Sequence, residues 1–312
     1  MLDEDLISFE PSPRAVASSN QPMPIIIGAP RSGTTLLRFM LDSHPELAIP
    51  PETGFLSLGP QFSSRGAALR EEFFLAVTSF PPDAPGWSDF QISKDLFWRE
   101  LLDLDPFTVS GGYRTFYRLY ASRFGKQRWG DKTPGYCYYM GSIEAILPEA
   151  HFIHIIRDGR DASLSLRRMW FSPGWGIETQ AAYWSDFVLT ARRQAAQCGH
   201  YMEVRYEELI WKTRETLVQI CEFLDLVYDD AMLSYYERSP KRLQEHRGRS
   251  GSDGGVVLTQ EQRYCQQQST TEPPDPNRVF GWRLAMSIGE QGRFEAVAGD
   301  LLRELGYETG RL

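Results

Sequence analysis

Pro24-Ile25-Ile26-Ile27-Gly28-Ala29-Pro30-Arg31-Ser32-Gly33-Thr34-Thr35-Leu36 joins three signals in thirteen residues. An apolar, β-branched run leads into a Gly-rich turn, and a helix-like segment, Leu36 to Asp42, follows. Gly28 and Gly33 have the spacing of a Walker A phosphate loop, and the order strand, turn, helix gives that spacing its structural context. The first N–H groups of a helix have no partner inside it, and the helix dipole adds positive character there. A run of turn N–H groups makes an anion nest. Ser32, Thr34 and Thr35 add hydroxyl donors, and Arg31 adds a charged fork. A simple Ser/Thr helix cap would need neither the strand nor the two glycines. The lysine that a Walker A loop carries after its second glycine is Thr34 here, and the cation sits earlier, at Arg31. The loop therefore reads as a phosphate site without the means to reach the β- and γ-phosphates of a nucleoside triphosphate.

A second unit of the same kind lies downstream. His151-Phe152-Ile153-His154-Ile155-Ile156 reads as a buried strand; Arg157-Asp158-Gly159-Arg160-Asp161 and a helix from Ala162 to Trp170 follow. Ligands of open parallel sheets bind where strands hand over to helices. Further strand-like and helix-like segments alternate, notably Glu178–Gln197, which has no Gly or Pro, and Tyr201–Val204. That alternation predicts an α/β fold, a central parallel sheet flanked by helices in three layers.

Ala29-Pro30-Arg31-Ser32-Gly33-Thr34-Thr35-Leu36, continued by Met40-Leu41-Asp42-Ser43-His44-Pro45-Glu46, resembles the 5′-phosphosulfate loop of sulfotransferases that use 3′-phosphoadenosine 5′-phosphosulfate (PAPS). The wording is closest to the tyrosylprotein sulfotransferase-like branch and its bacterial relatives; cytosolic aryl sulfotransferases carry Lys at the place of Arg31. The resemblance implies a 3′-phosphate site at Arg157 and, eight positions on, Ser165. It places Tyr206, in Val204-Arg205-Tyr206-Glu207-Glu208-Leu209, against the adenosine. Asn277-Arg278-Val279-Phe280-Gly281-Trp282-Arg283 is similar to the C-terminal segment that covers PAPS, which brings in Arg278.

The implied reaction moves a sulfuryl group from PAPS to an acceptor hydroxyl of a small molecule, lipid, polyketide or sugar, in line, and leaves 3′,5′-bisphosphoadenosine (PAP). It needs a base for the acceptor proton and a cation for the departing oxygen. Glu52, in Ile49-Pro50-Pro51-Glu52-Thr53-Gly54, stands where tyrosylprotein and heparan sulfotransferases place a catalytic Glu. Gly54 replaces the Arg that the tyrosylprotein enzymes carry two places later, so a protein-tyrosine acceptor does not follow. Lys132, in Trp129-Gly130-Asp131-Lys132-Thr133-Pro134, resembles the family's lysine-bearing loop, and an ammonium is a compact charge for a bridging oxygen. Histidine serves as base in the cytosolic branch, but none of the five here has that context. No metal is expected. A tyrosylprotein-type enzyme, a P-loop kinase and a non-catalytic nucleotide-binding module are the alternatives.

The 312 residues, 42% hydrophobic and 13% aromatic, suit one large domain over 23–312. Residues 1–22 read as a tail or linker. The polar stretch 241–275 reads as loosely structured, a mobile loop over the active site. A formal charge of −8 disfavours nucleic-acid binding. Four scattered cysteines suggest reduced thiols, and no segment has the ~20 apolar residues of a membrane span. The expectation is a cytoplasmic bacterial enzyme, with a homodimer or a larger biosynthetic assembly left open. Phe55, Trp87, Phe90, Trp170, Phe171 and Trp175 are candidates for an aromatic acceptor pocket.

Overall fold

The computed structural model describes residues 21–251 and 254–310. The expected tail falls almost wholly outside them. Two apolar runs pair at the centre of the molecule: β1 (Met23–Ile27) lies parallel to β5 (Ala150–Ile156), with Ile25 opposite Phe152 and Ile27 opposite His154. A short pair, β2 (Leu47–Ala48) with β3 (Arg128–Trp129), stands beside the main sheet. β4 (Asp131–Lys132) extends the sheet on the far side of β1, and β6 (Tyr201–Arg205) on the far side of β5, giving the all-parallel order β4-β1-β5-β6.

Strand side chains alternate between faces, and the core divides accordingly. Ile25, Ile27, Phe152 and Ile156 belong to one apolar cluster, Ile26, Ile153 and Ile155 to another. Both faces are covered, which is why β1 and β5 read as continuous apolar runs. The helices in chain order are α1 (Thr34–Asp42), α2 (Gly66–Thr78), α3 (Lys94–Leu102), α4 (Val109–Ser122), α5 (Met140–Ile146), α6 (Gly159–Leu166), α7 (Ile177–Ala195), α8 (Tyr206–Trp211), α9 (Thr213–Phe223), α10 (Tyr235–Leu243), α11 (Gln260–Gln267), α12 (Trp282–Ala285) and α13 (Ile288–Glu304). The first face carries Phe116 of α4, Ile143 of α5, Trp184 of α7 and Phe294 of α13. The second carries Leu37 of α1, Leu209 of α8, Ile220 of α9 and Leu243 of α10. This is the three-layer α/β arrangement that the sequence predicts.

Three expectations change. The helix after Arg157 is shorter than read: α6 ends at Leu166, and the turn that follows leaves Trp170 64% exposed. Stretch 241–275 folds over its described residues. It contains a hairpin of β7 (Arg249–Ser250) and β8 (Val256–Leu258), then α11, which opens on a Thr259–Gln262 capping box. Asp89, fully buried, gathers its middle: it accepts Arg263 Nη1 and Nη2 at 2.7 and 2.8 Å, Arg249 Nη2 at 3.1 Å and the Arg247 N–H at 2.9 Å, while Arg242 on Asp42, Tyr120 on Glu245 and Ser239 on the Thr270 carbonyl, each at 2.8 Å, tie down its ends. A polar stretch can thus order itself through ion pairing that composition does not reveal. Finally, Phe55, Trp87 and Phe90 are core residues, packed around Phe116 with ring centres 4.9 to 5.7 Å away, and not pocket walls.

Candidate active site

A cleft of about 520 Å³ opens at the carboxyl ends of the parallel strands. Its floor is the turn between β1 and α1. Gly28 has φ 147° and Gly33 φ 100°, and a Cβ on Gly28 would stand 2.4 Å from the Ile155 carbonyl oxygen. Only glycine lets this turn lie flat on β5. Arg31 also takes a positive φ, 71°. Thr34 and Thr35 begin α1, and Gly33, Thr34 and Thr35 face the cleft. Ser32 is fully buried and its Oγ has no partner.

One end of the cleft gathers cations. Arg31 Nε donates to Ser165 Oγ at 3.0 Å. Arg157, at the end of β5, donates through Nη1 to the Arg31 carbonyl at 3.2 Å and through Nη2 to the Arg278 carbonyl at 2.7 Å. Its guanidinium lies 4.4 Å from the centre of the Tyr206 ring. Arg31, Arg157, Ser165, Tyr206 and Arg278 all line this end. Burial, then the neighbouring Arg157 and Arg278, lower the proton affinity of Arg31. Guanidinium groups do not deprotonate in proteins, so this crowding favours a bound anion. The C-terminal segment reaches the cleft because Trp282 is docked on α6: its backbone N–H donates to Asp161 at 2.7 Å, and Arg160 stacks on its ring at 3.6 Å.

The other end holds Glu52 and Lys132. Asp42 accepts the Ile49 N–H at 2.8 Å, and Arg38 Nε donates to the Ile49 carbonyl at 3.0 Å. Pro50 and Pro51 then stiffen the approach. On the other side of Glu52, Thr53 Oγ1 donates to Asp131 Oδ2 at 2.7 Å. Asp131 has no exposure and also accepts Tyr117 Oη and Thr133 Oγ1, at 2.7 and 2.8 Å. Burial pushes its carboxyl up to about 6 despite these donors. Because side chains alternate along β4, Lys132 points opposite to Asp131, into the cleft. Its ammonium donates to Glu52 Oε1 and, at 3.3 Å, to Thr35 Oγ1 of the phosphate loop. Burial raises the Glu52 carboxyl, but Lys132, with Arg249 and Arg263 further off, outweighs it and holds Glu52 below the usual carboxylate range. Burial lowers Lys132, and Glu52 opposes that shift.

The structure therefore brings together Glu52, Lys132, Arg31, Gly33, Thr34, Thr35, Arg157, Ser165, Tyr206 and Arg278 around one cleft; Ser32 sits just beneath it. A model of the sulfotransferase family matches residues 22–230, well over half of the chain. The chain belongs to the sulfotransferase family. Among relatives of this sulfotransferase is the nodulation protein NoeE of Sinorhizobium fredii, 28% identical over 92% of this chain and 67% of the relative. Protein-tyrosine sulfotransferase 1 of Danio rerio is 26% identical over 93% of this chain and 74% of its own. In structure, the sulfotransferase domain of the Synechococcus PCC 7002 olefin synthase superposes with a TM-score of 0.58 at 22% identity, over 97% of this chain and 99% of the other, which is a likeness of fold. Among the described residues no helix is long and apolar enough to cross a membrane, and no His/Cys/Asp/Glu group is arranged to hold a metal.

Sequence reasoning missed part of the sulfotransferase's cleft. His246, Arg249, Leu258 and Arg263 line it from the 241–275 stretch. The sequence placed that stretch over the active site, but no short-range pattern singled out these four residues within it. Of the proposed acceptor aromatics, only Trp170 and Phe171 reach the cleft; Tyr183 and Phe187 of α7 complete that wall.

Proposed function

We propose that this sulfotransferase moves the sulfuryl group of PAPS to an acceptor hydroxyl, with Glu52 as base and Lys132 as the cation at the leaving oxygen. The contact of Lys132 with both Glu52 and Thr35 carries the reading. It sets a carboxylate, an ammonium and a phosphate-loop hydroxyl at one point, between a cation-lined end and an aromatic wall.

The residues present suit the donor. The α1 N-terminus, with Ser32, Gly33, Thr34 and Thr35, would hold the 5′-phosphosulfate; the orphaned Ser32 hydroxyl and the crowding of Gly28 and Gly33 fit an anion laid against backbone. Arg157 and Ser165, with Arg31 and Arg278 around them, would hold the 3′-phosphate, and Tyr206 would lie against adenosine. Bound PAPS supplies a sulfuryl group already activated for transfer. The protein then has to position, deprotonate and neutralise, the tasks that dominate in-line phosphoryl transfer. Glu52 takes the hydroxyl proton. Lys132, close enough to Thr35 to reach the loop, offsets charge gathering on the departing oxygen. The folded 241–275 stretch closes the cleft as a lid. The chain's four free cysteines suit this sulfotransferase to a reducing, cytoplasmic setting.

The test is transfer of labelled sulfate from PAPS to a panel of alcohols, phenols and tyrosine peptides, beside calorimetry with PAP and with Mg-ATP. Sulfation of a panel member and tight binding of PAP support the reading. A preference for Mg-ATP over PAP would overturn it in favour of a kinase.

A further inference from the structure

Away from the arginines around Ser165, a second set of nitrogen-bearing side chains lines the cleft. His246 follows α10, Arg249 lies on β7 and Arg263 on α11. Arg263 is fully engaged by Asp89, through both terminal nitrogens. Arg249 shares that carboxylate through Nη2 alone, and its Nε has no partner. His246 is nine-tenths buried, and its Nε2 has no partner either. Burial, then Arg263, Arg38, Lys132 and Arg249, hold its ring well below the usual histidine range, so it stays neutral.

Two guanidinium groups against the single Asp89 carboxylate leave one positive charge over, and Glu52 is engaged by Lys132. Buried polar groups without partners are rare in folded proteins. Arg249 and His246 both line the one cleft; the guanidinium can only donate, and the neutral imidazole donates from Nε2 in one of its two tautomers, so a ligand with acceptor atoms satisfies both. The aromatic side chains lining the same cleft, Trp170, Phe171, Tyr183 and Phe187, offer no charge.

We propose that Arg249, flanked by His246 and backed by the Arg263–Asp89 pair, is an anion subsite for the acceptor, and that the favoured acceptors are hydroxylated carboxylic acids with an apolar body. The carboxylate accepts from Arg249, His246 offers a neutral hydrogen bond beside it, and the apolar body lies on the aromatic wall. This rests on the reading that the reacting hydroxyl stands at Glu52.

Matched pairs separate charge from shape: 3-hydroxydecanoate and its methyl ester, and 3-(4-hydroxyphenyl)propionate and its methyl ester. Each pair is measured twice, as kcat/KM for transfer from PAPS and as calorimetric affinity for the protein saturated with PAP. A charge-assisted contact of this kind predicts an acid-over-ester ratio of about tenfold or more. Arg249→Ala brings the ratio close to one, and Arg249→Lys keeps part of it. Every ratio compares two ligands on one variant, so partial loss of folded protein cancels. An Arg249-dependent preference for acids in binding, without sulfate transfer, supports the subsite and removes the reaction assigned to Glu52. Equal behaviour of acids and esters in the wild type, or a preference that survives Arg249→Ala, overturns the subsite.

Discussion

Replacing Glu52 by Gln is expected to do two opposite things, and the pairing follows from where Lys132 sits. The ammonium is 3% exposed and its partners are Glu52 and Thr35. An anion entering the phosphate loop must draw Lys132 away from Glu52. The pair is intermediate in exposure, since the Glu52 side chain is 48% exposed. Fully exposed pairs contribute about 0–1 kcal/mol, and breaking a buried one costs about 3–5 kcal/mol, so about 1–2 kcal/mol is set against nucleotide binding. Glu52→Gln removes that competition, and PAP affinity should rise about five- to thirtyfold. Loss of a general base lowers turnover by about 10²–10⁴-fold. Release of Lys132 also frees Glu52 from the charge that depresses its proton affinity, so the base gains strength once the donor is bound. Calorimetry with PAP and single-turnover sulfate transfer read the two effects separately. PAP binding weakened tenfold, or turnover within tenfold of wild type, would refute this account of the pair.

Three further outcomes follow from particular contacts. Arg157→Ala should weaken PAP far more than adenosine 5′-phosphosulfate, which lacks the 3′-phosphate; equal weakening in calorimetry would remove Arg157 from that phosphate. Gly33→Ala puts a Cβ 2.5 Å from Tyr206 Cδ2 at a φ of 100°, so denaturant titration should show a loss of about 2 kcal/mol or more, with PAP affinity falling alongside. His154 is fully buried on β5, and burial lowers its ring from 6.5 to about 4. Its folded form is thus favoured neutral: the stability it contributes is present above pH 6.5 and is lost as pH falls toward 4, by about 2 kcal/mol between pH 7.5 and 5. His154→Phe should flatten that part of the stability–pH curve.

Much of the fold was legible because it is carried by short-range patterns. Ile25–Ile27 and Phe152–Ile156 are apolar on both faces, and a run that is buried on both faces cannot hide its composition. The glycines of the phosphate loop were legible for a related reason: each occupies a place where a Cβ would meet β5 or Tyr206, and the chain has little freedom to vary there. The position of stretch 241–275 over the cleft was legible, but its folding was not. Its order depends on Asp89 meeting Arg247, Arg249 and Arg263 across more than 150 positions of sequence, and no local window contains both sides of that contact. The acceptor wall failed for a third reason. Aromatic composition does not distinguish a core such as Phe55, Trp87 and Phe90 from a cleft wall such as Phe171, since both bury rings.

Asp131 shows how the site's rigidity is built and gives a prediction of its own. The residue touches neither nucleotide nor acceptor in this reading, yet it holds Thr53 beside Glu52 and precedes Lys132. Its carboxyl rises from 3.8 to about 6 through burial. A raised carboxyl contributes stability below pH 3.8 and loses it as pH climbs through 6. At neutral pH the charged form therefore costs about 3 kcal/mol, of which about 2 kcal/mol appears between pH 4.5 and 7.5. An uncharged amide at this position would not titrate, so the stability of Asp131→Asn relative to wild type should improve by about 2 kcal/mol over that interval, whatever its offset. Turnover should fall all the same, because three hydroxyls donate to the carboxylate and an amide has one oxygen to offer. One of Thr53, Tyr117 and Thr133 must turn away, and Glu52 loses its fixed neighbour. Urea titrations across pH and turnover at saturating PAPS test both halves. A stability gap that does not move with pH would show that Asp131 is not charged at this cost, and unchanged turnover would show that Glu52 keeps its place without it.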